Sequence, residues 1–76
     1  MNKTTKLTKL NTKLNNKNFD MKGKITKLER SMLWIDDLSV IWSHKDKIKT
    51  LKHNILINEQ QVRFNLMTIL SGRVNN

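Results

Sequence analysis

The chain opens with ammonium groups: Lys3, Lys6, Lys9, Lys13 and Lys17 all precede its first carboxylate, Asp20. A lysine is a point charge on a flexible stem, and a run of them without counter-charge is the electrostatic footprint of a phosphate-bearing polyanion. Lys22 and Lys24 prolong the run. Lys45, Lys49 and Lys52 stand at i, i+4 and i+7, which on a helix makes one basic flank. Reading base edges requires directional donors and acceptors, and Gln60, Gln61 and Arg63 supply these near the carboxyl end. Together these residues form the expected nucleic-acid-binding set, the lysines on phosphates and the last three on bases.

Bond-making chemistry has no comparable support. The chain has no cysteine and no glycine-rich phosphate loop, and neither His44 nor His53 has an evident serine and acid partner. Asp36 and Asp37 are adjacent, so on a helix their side chains diverge by about 100° instead of sharing a substrate. No enzyme activity, cofactor or metal is expected.

The formal net charge is +9 on 76 residues. A chain of this length holds one domain, and small domains bury too little surface for ample stability. With neither a disulfide nor a metal to staple it, a partner or a homodimer is a reasonable expectation. The longest apolar run, Met32-Leu33-Trp34-Ile35, is far short of a bilayer span, so no membrane association is expected. The start lacks the apolar core of a secretory signal, and Asn2 excludes myristoylation. An intracellular setting follows as an expectation, in cytoplasm, nucleoid or organelle matrix, with a transit peptide as one reading of the acid-free start. Lysine, asparagine and isoleucine are abundant while alanine and proline are absent, the bias of an AT-rich genome such as that of a phage, an organelle or an AT-rich microbe.

The elements that must position these residues read as all-α. Residues 1–22 form a basic arm built on Thr-Lys-Leu at 5–7, 8–10 and 12–14, with a fourth copy at 26–28. Leu7, Leu10 and Leu14 make a helical stripe, but Asn11, Asn15, Asn16 and Asn18 weaken it, so the arm is expected to be disordered when free. Residues 23–76 read as a small domain of three, possibly four short, helices. Ile25, Leu28, Met32 and Ile35 define a helix over 24–35, interrupted because Asp36 would fall on its buried face. Asp36 or Asp37 then caps a short turn through Trp42. The alternative makes 32–42 a β-hairpin and the fold α+β. Ser43 reads as the cap of a helix buried through Ile48, Leu51 and Ile55. Asn58 reads as the cap of a last helix over 59–71, with Val62, Leu66, Ile69 and Leu70 inward and Gly72 as the stop.

Residues 51–66 match a helix-turn-helix in spacing, with Leu51, Ile57, Val62 and Leu66 in packed positions and Asn58 as the second cap. Lys52 and Leu56 depart from the small residue and the glycine that motif favours. Trp42 is expected in the core. Trp34, Phe64 and Met67 are candidate protein-interface residues. The leading expectation is a small basic nucleic-acid-binding protein, either a ribonucleoprotein component or a DNA-binding regulator. The alternative is a helical interaction protein, of phage origin, that binds and modulates a host protein.

Overall fold

The computed structural model describes residues 3–72, which form two long helices, α1 (Lys3–Met32) and α2 (Leu38–Leu70). They fold back on each other as an antiparallel hairpin with Cα extents of 57 × 15 × 13 Å. All-α is therefore correct, but two helices stand where three or four were expected, and the described residues contain no strand at 32–42 or elsewhere.

The pairing follows from a heptad that runs through both helices. Leu7, Asn11, Leu14, Asn18, Met21, Ile25, Leu28, Met32 and Ile35 alternate by four and three, and every one is buried or half-buried. On α2 the same alternation links Ile41, His44, Ile48, Leu51, Ile55, Asn58, Val62, Asn65 and Ile69. Such 3.5-residue spacing keeps one seam on each helix facing its partner along their whole length. Facing residues have numbers that add to 76, as the hydrogen-bonded pairs Asn11 with Asn65 and Asn18 with Asn58 show.

Seam chemistry changes along the axis. Ile25, Ile48 and Ile55 are the buried apolar core, flanked by Met21, Leu28, Met32 and Leu51. Towards the open end the buried positions are asparagines: Asn11, Asn18 and Asn65 are 7%, 5% and 2% exposed. The expected arm and domain are thus one continuous helix across residue 22, and the boundary between them coincides with the change from polar to apolar seam.

Local signals explain the ends. Asp37 caps α2, its carboxylate accepting from the Ser39 backbone N–H at 2.9 Å and from the Ser39 hydroxyl at 2.7 Å. The first of these satisfies a donor that has no partner within the helix. At the other end Gly72 adopts φ +71° and its N–H reaches the Ile69 carbonyl at 3.2 Å, the left-handed residue that commonly terminates helices. Thr8, Thr12 and Thr26 donate their hydroxyls to the carbonyls of Thr4, Thr8 and Lys22, so these β-branched residues sit in α1 without an unsatisfied polar group.

The other two expected caps, Ser43 and Asn58, lie inside α2, and the helix expected to begin at 24 instead runs unbroken through Gly23. Asn58 instead faces the seam and donates to Asn18 Oδ1 at 3.0 Å. Because residues 51–66 form an unbroken helix, the turn that a helix-turn-helix needs is missing and no recognition helix stands proud. Trp42, expected in the core, is 74% exposed, because it falls one residue beyond the seam position Ile41. Leu66 and Leu70, expected inward, are exposed for the same reason of phase.

Candidate nucleic-acid interface

A two-helix rod has two broad flanks, and helical phase decides which residues share each. With heptad position a at Asn11, Asn18, Ile25 and Met32 on α1, and at Ile41, Ile48, Ile55, Val62 and Ile69 on α2, the remaining letters follow at 100° per residue. Reversing one helix mirrors its wheel. The g and c positions of both helices therefore share one flank, and e and b share the other. The surface grooves agree: one is lined by Lys24, Lys27, Lys47 and Thr50 with Asp46 at its edge, the opposite one by Lys22, Thr26 and Lys52.

The g and c positions of α1 are, in order, Lys3, Lys6, Leu10, Lys13, Lys17, Asp20, Lys24 and Lys27. Lysine fills six of these eight positions, and α2 adds Lys47 to the same flank. From Lys3 to Lys27 the ridge is about 36 Å long at 1.5 Å per residue. Phe64 lies at position c of α2, level with residue 12 of α1, and is 65% exposed beside this ridge. The flank thus combines a line of ammonium groups with an open aromatic face, the pair of features that tracks a phosphate backbone and stacks bases.

Of the expected binding residues, Lys3, Lys6, Lys13, Lys17 and Lys24 come together here. Lys9 and Gln60 point directly away from the seam. Gln61 is committed, donating from Nε2 to Asn65 Oδ1 at 2.9 Å. Lys22, Lys45, Lys49, Lys52 and Arg63 belong to the opposite flank. Lys27 and Lys47 were not anticipated; carrying the period of seven from Lys6 and Lys13 past Gly23 would have found the first. The protein-interface candidates do not make one patch. Trp34 lies at the turn, about 33 Å along the axis from the level of Phe64, and Met67 faces away from the seam.

Helix electrostatics bear on why the lysines are there. The amino end of a helix carries partial positive charge, so cations in the first turn destabilise it by about 0.3–1 kcal/mol each. Lys3 and Lys6 occupy the first turns of α1, which holds no acid there. They are placed against the interest of the helix. Protein-family models, curated proteins and solved structures were all compared with the chain, and none matches it.

Proposed function

We propose that the protein binds nucleic acid along the α1 ridge, with Lys3, Lys6, Lys13, Lys17, Lys24, Lys27 and Lys47 on phosphates and Phe64 against an unpaired base. The observation that carries this reading is the six-in-eight lysine occupancy of one helical flank, interrupted by a single acid, Asp20. Within α1 the opposite flank holds a single lysine, Lys22, so this helix, unlike α2, sorts its charge to one side, as a ridge meeting a linear polyanion would. A second reading, docking of Trp34, Phe64 and Met67 on an acidic host protein, is supported by their exposure, but their dispersal along the rod argues against a single epitope.

Fluorescence anisotropy with a labelled oligonucleotide tests the ridge. Seven phosphate contacts give a log–log salt slope of about −6 on duplex and about −5 on a single strand. Replacing Lys6, Lys13, Lys17 and Lys24 together by Gln is expected to reduce the duplex slope by about 3–4. Replacing Lys45, Lys49 and Lys52 on the other flank leaves most of it. A wild-type slope near zero, or equal losses from the two sets, disproves the assignment.

A further inference from the structure

The flank opposite the ridge carries a different pattern. Its b positions on α2 read Trp42, Lys49, Leu56, Arg63 and Leu70, so large apolar residues recur every fourteen residues, about 21 Å apart, with Leu56 at the centre. Phe19 of α1 is at a b position too and lies level with residue 57, beside Leu56. Phe19, Trp42 and Leu70 are 76%, 74% and 84% exposed. We propose that this flank is where a second copy of the chain packs, two hairpins closing face to face into a four-helix bundle.

The spacing itself favours a second copy over an unrelated partner. A two-fold axis crossing the rod at Leu56 sets Leu56 on Leu56, Phe19 beside its own mate, and Trp42 of each chain on Leu70 of the other. That self-matching is what an isologous interface requires. Size agrees: one side of a rod 57 Å long and 15 Å wide presents about 800 Å² per chain, the amount a stable interface covers on each partner. Need agrees as well, because among the described residues the buried apolar core is three isoleucines, Ile25, Ile48 and Ile55, each still 7–8% exposed. Charge opposes the contact less here than on the ridge, because Lys22, Lys45, Lys49, Lys52 and Arg63 are set against Glu29 and Glu59, both at e positions. Lys49 and Arg63 approach each other's mates, and their long stems carry the charges outward to water.

Light scattering and sedimentation of nuclease-treated full-length protein test the proposal. The expected mass is twice the 9.0 kDa of one chain at about 100 μM, with a melting temperature that rises with protein concentration. Leu56→Glu and, independently, Trp42→Gln are expected to weaken dimerisation at least tenfold, whereas Phe64→Glu on the ridge flank leaves it within a factor of about two. A monomer at every concentration overturns the proposal, whatever the variants do. So does a dimer broken by Phe64→Glu and spared by the other two. A monomer that sediments with phosphatidylglycerol vesicles through Trp42 and Leu56 would assign the flank to an anionic lipid surface instead.

Discussion

At the scale of single residues, the polar members of the seam are where stability trades against specificity. Asn11 and Asn65, joined at 2.9 Å, occupy positions that leucine would fill more stably, but two amides that must meet fix the register of the helices. Changing Asn65 alone to Leu orphans a buried amide and is expected to cost about 1–3 kcal/mol in urea unfolding. The double change to leucine should restore or exceed wild-type stability, and that non-additivity identifies the pair. His44 presents the opposite case. Its Nδ1 is buried in the seam without a partner, so His44→Leu is expected to raise stability by about 1–2 kcal/mol. Asp37 adds a pH dependence. The Ser39 hydroxyl, then the Ser39 backbone N–H, hold its carboxyl below the ordinary range. Its stabilisation is therefore present above the usual aspartate range and is lost as pH falls through the lowered folded value. Asn keeps the cap without the charge, so the drop in melting temperature between neutral pH and about pH 2 should be smaller in Asp37→Asn.

At the scale of the helices, α1 contains one residue that belongs elsewhere. Gly23 is exposed, lies in helical conformation, and has nothing within 4 Å of where a Cβ would stand. Gly23→Ala should therefore stabilise the protein by about 0.5–1 kcal/mol on thermal melting. The same glycine explains much of what was legible in the sequence and what was not. Ile25, Leu28, Met32, Ile48, Leu51 and Ile55 announce their burial because apolar spacing is a direct signal, and Asp37 and Gly72 end helices by their local chemistry alone. Ser43 and Asn58 mislead because a capping preference of about 1 kcal/mol yields to a helix held together by tertiary packing. Asn11 and Asn18 mislead more deeply: read by propensity they weaken a helix, and only against Asn58 and Asn65 on the other helix of the hairpin do they become seam. The lysines of the ridge were visible as composition. Their common flank was not, because it requires an unbroken helical phase from Lys3 to Lys27 across that glycine.

At the scale of the whole molecule, the two flanks make demands that salt separates. Phosphate binding on the α1 ridge releases counterions and weakens as ionic strength rises. Packing of two chains, each with a formal charge of +9, is opposed by long-range repulsion and should tighten over the same range as that repulsion is screened. In the face-to-face bundle the two ridges look outward on opposite sides, so one short oligonucleotide reaches only one of them. A ridge of about 36 Å covers about ten phosphates of a strand spaced 3.4 Å apart. A duplex of that length should therefore bind two to a dimer, independently, as isothermal titration would count them. Leu56→Glu, which separates the chains, should leave the affinity per chain for that duplex unchanged to within a factor of about two, its one added negative charge facing away from the ridge. A longer duplex gains nothing from dimerisation unless it bridges two bundles, since no bend short of half a superhelical turn brings it from one ridge to the other. One duplex per dimer, or a loss of affinity on separating the chains, would mean that the lysine ridges of two hairpins lie side by side, and the interface would then have to be sought on the flank of Phe64.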